Sequence, residues 1–456
     1  MELDNYSTRE KKDAEVGFIK KEKFDPFTER KVENPTTDGE TLTHLLKASL
    51  GTGILSMGCA FRSSGLALGI ISTILIGFIS TYCAYILVKC AHILYHKCHK
   101  TQMSYADIAE AALAVGPKPF RKFAKLLRVI VDLGLFCIYY GACVACTVIV
   151  AKNFKQILDF HEIHYNNEFI PLSWIIVVLL IPIILLTLIQ DLKYLAPVST
   201  IANGLMFGGL TIIFIWLVTE LFGKDLIHQK GFNWIGIDEN KSLSLSWYSK
   251  YSETFAITIF AMAAIGVVMP LENKMKTPKN FLGPVGILSK GMIFVTIIYM
   301  IAGILAYLKD PIATTDVITL EMPMDGTFLT SFMAQAARIL ISLSVFSSYC
   351  LCLFVCLEII WNLIKNNFTD NPKRANYILK LILAVASVML AFFFPNVIAI
   401  LGIIGAFFLS ILGLLVPVII ETITYWEDDN HRVLRALKNI VIAIVALNAL
   451  YFGALA

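Results

Sequence analysis

Residues 51–53, Gly-Thr-Gly, interrupt the first long apolar stretch of the chain, and residues 263–266, Ala-Ala-Ile-Gly, interrupt the sixth. Two hydrophobic segments that lie five spans apart, each interrupted midway, are typical of a binding site at the middle of a membrane. Irregular backbone is tolerated in hydrocarbon only where it lines a cavity. The pair therefore predicts a chamber for a small polar solute halfway through a lipid bilayer.

Composition places the chain in that bilayer. Hydrophobic residues make up 57% of the 456 residues and charged residues 16%, and the mean hydropathy is +0.71. These values predict a polytopic membrane protein with the lipid bilayer as its main partner. The net charge of +4 does not favour nucleic acid as a partner. Residues 1–40 are polar and have no apolar core, so we expect a disordered cytoplasmic tail and no cleavable signal peptide.

Apolar stretches of about 20 residues predict about eleven transmembrane helices. They lie near residues 42–62, 66–94, 127–152, 172–190, 195–222, 252–272, 285–308, 329–364, 376–395, 397–423 and 438–455. Basic residues collect after the even-numbered spans, which places the N-terminus in the cytoplasm. With an odd number of spans, the C-terminus is expected on the extracellular or lumenal side.

If spans one to five and spans six to ten are two copies of one repeat, the odd number of spans makes the second copy cross the membrane in the opposite orientation. This arrangement is an inverted repeat. We therefore expect an all-α fold made of two five-span repeats and one extra helix. The predicted divisions are the tail 1–40, a first repeat 41–222, an extracellular or lumenal loop 223–251, a second repeat 252–423, and a cytoplasmic loop with span eleven over 424–456.

Three stretches resemble a known family. Residues 44–47 (HLLK) with 51–55 (GTGIL), and residues 266–276 (GVVMPLENKMK), look like the first- and sixth-span signatures of the amino acid/auxin permease family. Residues 191–199 (DLKYLAPVS) are similar to the junction of spans four and five in its proton-coupled amino-acid transporter branch, in an insect-type member. The resemblance implies a leucine-transporter-type fold and the movement of small neutral amino acids and protons across a plasma or lysosomal membrane.

An amino-acid zwitterion fits the electrostatics of two broken helices, because each break leaves unpaired amides on one side and unpaired carbonyls on the other. We expect the substrate carboxylate at the amides of Gly51, Thr52 and Gly53. The ammonium is expected at the carbonyls near Phe260, Ala261 and Ala264. The alternative interpretation is that the glycines only allow helices to pack closely.

Side chains from two other spans are further candidates for substrate binding. Tyr139 and Tyr140 lie midway along the third span, and Ser347 and Ser348 midway along the eighth. A phenol can reach a carboxylate, and a serine hydroxyl can contact a substrate or a coupling ion. Aromatic rings at this depth also serve packing, and a helical serine can bond to the carbonyl of the preceding turn.

Proton coupling has two candidates and one departure from the family. His44 begins the first span and matches the histidine that the resemblance implies for proton linkage; it can also be an interfacial residue. Glu272 lies at the inner end of the sixth span and is either a titrating group or part of a cytoplasmic gate. Relatives usually carry glutamate at the position of Ala263. The alternatives are therefore a proton-independent facilitator or exchanger, or an amino-acid sensor that acts on a cytosolic signalling partner through the tail.

No motif for catalysis, ATP or a cofactor was found, so we expect a non-enzyme that needs neither cofactor nor metal. Four potential metal ligands at the end of the second span are interpreted as interfacial residues and not as a metal site: His92, His96, Cys98 and His99. Asn240 begins a glycosylation sequon in the loop 223–251. A channel is a third functional class, against which the paired breaks argue.

Overall fold

The computed structural model of the chain describes residues 24–32, 35–161, 164–165, 168–187, 192–222, 245–262, 265–311, 317–324, 327–365, 371–427 and 432–453. Most of this backbone is helical. A short antiparallel hairpin pairs β1 (His164–Tyr165) with β2 (Glu168–Phe169).

The first half of the chain forms helices α1 (Asp38–Ser49), α2 (Met57–Ser64), α3 (Leu66–Cys98), α4 (Tyr105–Val115), α5 (Lys118–Arg121), α6 (Ala124–Phe160), α7 (Leu172–Val178), α8 (Leu180–Thr187) and α9 (Leu192–Leu221). The second half forms α10 (Leu245–Ala261), α11 (Ile265–Lys274), α12 (Ile287–Lys309), α13 (Phe328–Ile364), α14 (Pro372–Phe393), α15 (Val397–Ile403), α16 (Val416–Thr424) and α17 (Arg432–Gly453). Three 3-10 helices cover Thr52–Ser56, Pro278–Phe281 and Ile318–Glu321, and a π-helix covers Ile404–Leu415.

In the part of the chain that the structure describes, nine helical stretches are long and apolar enough to cross a membrane. The first and fourth predicted spans are instead made of shorter pieces, α1 with α2 and α7 with α8. The prediction of an all-α polytopic protein is confirmed. Large apolar side chains such as Phe78, Leu133, Trp174, Ile293 and Phe393 are exposed around the bundle, where a membrane would surround them with lipid.

The fourth predicted span, 172–190, is not one continuous helix over its described residues. A turn at Leu179 separates α7 from α8. Pro182 explains the turn, because it has no amide to donate to the carbonyl of Val178 and its ring crowds that carbonyl. Hydropathy alone does not predict this break, because a single proline leaves the apolar character of the stretch unchanged.

The π-helix Ile404–Leu415 is an irregularity in the tenth span that hydropathy did not predict. It packs against α10, and a Cβ atom on Gly405 would overlap the carbonyl of Ala256. The hydroxyl of Ser410 donates to the carbonyl of Gly405, five residues earlier, over 3.2 Å, which suits the wider turn. The π-helix therefore packs on the second half of α10, where Gly405 meets Ala256.

Candidate functional site

The first span changes its helical path at residues 50 and 51. Helix α1 ends at Ser49, the 3-10 helix Thr52–Ser56 follows, and α2 begins at Met57. The last α-helical bond joins the amide of Leu50 to the carbonyl of Leu46 over 2.7 Å. The Gly51 amide donates to the carbonyl of Ser49 over 2.9 Å. A 3-10 helix leaves its first amides, here those of Thr52 and Gly53, without partners of its own.

The sixth span has its irregular point at the same level of the bundle. Helix α10 ends at Ala261, the amide of Met262 still donates to the carbonyl of Thr258 over 3.0 Å, and α11 begins at Ile265. Ala263 and Ala264, which the sequence analysis singled out, lie outside the described residues. The described ends of α10 and α11 therefore flank the predicted interruption.

Gly53 brings these two irregular segments into contact. A Cβ atom placed on Gly53 would lie 2.7 Å from the Cα and 2.9 Å from the Cβ of Ala261. Thr52 and Gly53 are both buried. Only a residue without a side chain fits this approach of two backbones, so the glycine at 53 is required by packing between spans one and six. Around Gly51, by contrast, no atom lies within 4 Å of the Cβ position.

Tyr139 extends from α6 to the start of α11. A Cβ atom on Gly266 would overlap the Tyr139 hydroxyl and lie 3.2 Å from its Cζ atom. Gly266 is the second residue of α11, where the first amides of a helix have no partners within it. The phenol that the sequence analysis selected therefore lies beside backbone donors of the sixth span.

The other predicted side chains have different surroundings. The Tyr140 hydroxyl donates to the carbonyl of Leu383 in α14 over 3.1 Å. The Ser348 hydroxyl donates to the carbonyl of Ser344 one turn earlier, as the packing alternative anticipated. Ser347 is buried, and the Cβ of Phe260 lies 3.3 Å from the Cβ position of Gly405. The structure thus places Tyr139 beside the start of α11 in the sixth span and directs Tyr140 towards α14.

Glu272 forms a buried cluster at the end of α11. Its side chain has no exposed surface, and Oε1 lies 3.2 Å from Nη1 of Arg30 and 3.0 Å from Nε2 of His92. The Tyr95 hydroxyl donates to Oε2 over 2.9 Å. A carboxylate buried this deeply needs such partners, because an unpaired buried charge is costly. The cluster joins α3, α11 and the segment before α1.

The partner Arg30 belongs to residues 24–32, here called the N-terminal segment. The sequence analysis placed these residues in a polar tail, but the structure packs them onto α3 and α11. The Arg30 Nε atom donates to the carbonyl of Thr101 over 2.8 Å, and the rings of Phe27 and His92 meet edge-on with their centroids 4.9 Å apart. No local pattern marks Arg30, because its partner carboxylate is 242 positions away along the chain.

A short backbone bridge continues this attachment. Thr36 pairs with Met275 in parallel, with its amide 2.9 Å from the carbonyl of Lys274. Asp38, at the start of α1, accepts hydrogen bonds from Thr277 and Asn280 over 2.6 and 2.8 Å. These hydrogen bonds, that from Thr277 first, lower the pKa of the Asp38 carboxyl below its ordinary value. The entrance to span one is thereby attached to the exit from span six.

The two histidines His44 and His92 lie in different surroundings. His44 lies on the exposed face of α1, and its role in proton linkage stays a prediction. His92 was interpreted as an interfacial residue, but its Nε2 atom contacts the Glu272 carboxylate. The four-residue spacing of His92 and His96 gave no indication of this, because the carboxylate comes from a different span. Within the described residues, no group of three or more potential metal ligands occurs.

Comparison with known proteins agrees with this architecture. A family model described as transmembrane amino acid transporter protein matches residues 34–455. The chain is 46% identical to the proton-coupled amino acid transporter-like protein pathetic of Drosophila melanogaster, over 94% of this chain and 86% of that protein. It is also 26% identical to vacuolar amino acid transporter 4 of Saccharomyces cerevisiae, over 74% of this chain and 43% of the yeast protein.

Solved structures match at the level of the fold. The structure of MhsT in complex with L-phenylalanine superposes with a TM-score of 0.54 at 14% identity, covering 91% of this chain and 98% of that one. A Na⁺-coupled sialic acid symporter superposes with a TM-score of 0.52 at 13% identity, covering 93% and 91%. The resemblance and the fold class predicted above are both confirmed: the chain is an insect-type member of the transmembrane amino acid transporter family, with a fold of the leucine-transporter type.

Proposed function

We propose that this chain moves small neutral amino acids across a membrane in company with protons, and that it holds the substrate between the 3-10 helix Thr52–Ser56 and the start of α11. The contact between Gly53 and Ala261 is the observation that supports this site most directly. It brings the irregular segments of two spans together at one level, as an inverted repeat of five spans per copy would do.

The backbone supplies the recognition in this proposal. The substrate carboxylate takes the amides at the start of the 3-10 helix, those of Thr52 and Gly53, where the helix end is electropositive. The ammonium faces carbonyls at the end of α10, near Phe260 and Ala261. The Tyr139 phenol, beside Gly266, is placed to add one hydrogen bond to the carboxylate.

The proposed site favours small substrate side chains. Met262 and Ile265, which flank the interruption of span six, are buried at 0% and 5% exposure, and Ala261 already touches Gly53. A bulky or charged side chain would have to displace these apolar groups or lose its hydration. Glycine, alanine and serine are therefore the substrates that we expect to move fastest.

Glu272 closes the cytoplasmic end in this proposal. With the N-terminus in the cytoplasm, the Arg30–Glu272 pair fastens the N-terminal segment across the inner half of span six. To release substrate inwards, α11 must separate from Arg30 or carry it along. The cluster is then a gate, which is the second of the two interpretations that the sequence left open for Glu272.

The same cluster is a candidate site for binding the coupled proton. Protonation of Glu272 would remove the charge that binds Arg30, and His92, 3.0 Å away, is a base that can exchange a proton with the carboxylate. This route does not need a carboxylate at position 263. The exposed His44 is the alternative proton-carrying group. The pH dependence of uptake discriminates between Glu272 and His44: a Glu272→Gln variant should lose this dependence, whereas a His44→Gln variant should keep it.

A sensor is the second candidate function, and the Arg30 contact favours it specifically. Because Arg30 binds the moving half of span six, a change at the substrate site would alter how firmly the N-terminal segment is held. A cytosolic partner that binds residues 1–32 could then respond to substrate occupancy. The location that we propose is a plasma or lysosomal membrane, with Asn240 glycosylated on the outer or lumenal side; the vacuolar name of the yeast relative supports the second of these membranes.

Uptake by purified protein in liposomes tests the proposal. With one proton moved per substrate, a gradient of one pH unit should concentrate radiolabelled alanine about tenfold, since one unit is worth about 1.4 kcal/mol. Uptake that equilibrates without concentrating would indicate a facilitator. Substrate-dependent thermal stabilisation without any uptake would indicate the sensor, and a non-saturating flux would indicate a channel.

A further inference from the structure

Arg338 is a buried cation away from the site described above. It lies in α13 and is 1% exposed, ten residues from the start of that helix, or ~15 Å along its axis. Its Nε atom donates to Oε1 of Gln156 over 2.9 Å, and Nη2 donates to the carbonyl of Met322 over 2.7 Å. Both acceptors are neutral. The guanidinium is therefore buried with hydrogen bonds but without a counter-ion among the described residues.

Two hydrogen-bond donors at this place are unused. Across the part of the chain that the structure describes, Nη1 of Arg338 and Nδ2 of Asn153 are buried without an acceptor. Asn153 is 0% exposed and uses its Oδ1 atom to accept from the Thr319 hydroxyl over 2.7 Å. Asn153 and Gln156 are three residues apart on α6, so they share one helical face. Arginine cannot lose its proton in a protein, and an unpaired buried charge is costly.

These donors lie beneath the 3-10 helix Ile318–Glu321. That helix contacts α6, α13 and also the 3-10 helix Thr52–Ser56. It is fastened by Asn153 and Gln156, and by Lys309, whose Nζ atom lies 3.4 Å from Oε2 of Glu321. It therefore covers the proposed substrate site at the end of the bundle opposite Glu272, since α12 runs the length of the bundle between Ile287 and Lys309.

We propose that Arg338 and Asn153 form a second anion site, which takes the carboxylate of an amino acid on its way to the site at Thr52–Ser56. This inference rests on the proposed function. A carboxylate suits the donors because it can accept from two N–H groups at once, and a guanidinium presents its N–H groups in a planar fork. The covering helix then links the two sites, because Met322, whose carbonyl binds Arg338, caps the same turn that touches the 3-10 helix of span one.

The test separates affinity from turnover. In Arg338→Lys, which keeps the charge and loses the fork, we expect the KM for alanine to rise about tenfold, the size of one charged hydrogen bond, with kcat changed less than twofold. Gln156→Glu should have the same effect, because it provides a carboxylate from the chain itself to occupy Arg338, and it should not lower thermal stability. A purely structural Arg338 would make Gln156→Glu neutral or stabilising with an unchanged KM, and this result would overturn the proposal.

A second readout identifies the anion. Thermal stabilisation of the full-length protein by alanine is compared with that by alaninamide, which lacks the carboxylate. Stabilisation by chloride is compared with that by methanesulfonate. Wild type should prefer alanine to alaninamide more strongly than Gln156→Glu does. An Arg338-dependent response to chloride alone would overturn the carboxylate assignment. If alanine stabilises wild type through Arg338 and no uptake occurs, the second site stands and the transport proposal fails.

Acidic residues of the same loop provide the last control. Asp316 and Asp325 lie outside the described residues. If Asp316→Asn or Asp325→Asn reproduces the KM of Arg338→Lys, the counter-ion of Arg338 is an internal carboxylate and the proposal is wrong. If both variants keep the wild-type KM, the external anion is supported.

Discussion

Gly53 of the first span packs directly on Ala261 of the sixth, with only 2.7 Å between the Cβ position of the glycine and the Cα of the alanine. Spans one and six therefore touch through their backbones at the level where both leave α-helical geometry. Because interiors are close-packed, movement of one segment has to be accompanied by movement of the other. A substrate that binds either segment would thus be sensed by both.

Substitution of Gly53 tests this contact. Gly53→Ala should reduce alanine uptake by at least tenfold, and Gly53→Val should abolish it, because each added atom must push Ala261 away. Gly204→Ala is the matched control, since its Cβ would meet nothing within 4 Å. Surface expression and initial uptake rates are measured for all three variants. Normal uptake by Gly53→Val would show that the close contact is not needed for transport.

Gly266 and Tyr139 provide a test with two readouts. Gly266→Ala should lower the thermal midpoint in detergent, because its methyl group would overlap the Tyr139 hydroxyl. In the double variant Gly266→Ala/Tyr139→Phe the overlap is removed and the midpoint should recover. Uptake should remain low in the double variant, since the phenol that we propose for carboxylate binding is absent. Recovery of both properties would reduce Tyr139 to a packing residue.

The irregular point of span one was predictable from sequence, whereas the partners of Glu272 were not. Gly51-Thr52-Gly53 could be located because glycine disfavours an α-helix in any context, and the signal is local. Glu272 was identified as a carboxylate inside a span. Its partners Arg30 and His92 were not, because they come from distant parts of the chain and each looks like an ordinary polar residue near an interface.

Arg338 illustrates the same limit. A charged residue ten positions inside an apolar helix was visible in the sequence, but it was not selected, since arginines near helix ends usually extend to the interface. Its burial depends on the 3-10 helix Ile318–Glu321, which has no hydropathy signal of its own. Tyr140 shows the converse: it lies next to Tyr139 at nearly the same depth of the third span, yet the step of one residue along α6 turns its hydroxyl towards Leu383.

The Arg30–Glu272 pair should behave as a coupled unit. Either Arg30→Gln or Glu272→Gln alone removes a buried partner and should destabilise the protein by about 3 kcal/mol. The double variant should lose less than the sum, with a coupling energy of about 1–3 kcal/mol. Thermal unfolding in detergent measures all four corners of this cycle, and Lys31→Gln, an exposed neighbour, serves as the control. Strict additivity would mean that the two side chains do not stabilise each other.

Asp38 predicts how the attachment of α1 responds to acid. Its pKa is lowered in the folded protein from an ordinary value of 3.8, chiefly by the hydrogen bond from Thr277. A lowered pKa means that the stabilisation is complete above the unfolded value and is lost as the pH falls through the folded value. The thermal midpoints of wild type and Asp38→Asn should therefore differ by a constant amount above about pH 5 and converge below about pH 4. Convergence already at neutral pH would contradict the hydrogen bonds to Thr277 and Asn280.

Ala263 tests where the proton is carried. If Glu272 and His92 form the route that we propose, Ala263→Glu adds a second titrating carboxylate next to the substrate site, and uptake should become more dependent on external pH. The added dependence should appear at acidic external pH. Initial alanine uptake is measured from neutral to acidic external pH in wild type, Ala263→Glu and the isosteric control Ala263→Gln. An unchanged profile in Ala263→Glu would mean that this position cannot couple protons in this chain. If Glu272→Gln abolishes the pH dependence of wild type and Ala263→Glu restores it in that background, both positions can carry the same proton, and the alanine here marks a shift of the coupling site from the middle of span six to its cytoplasmic end.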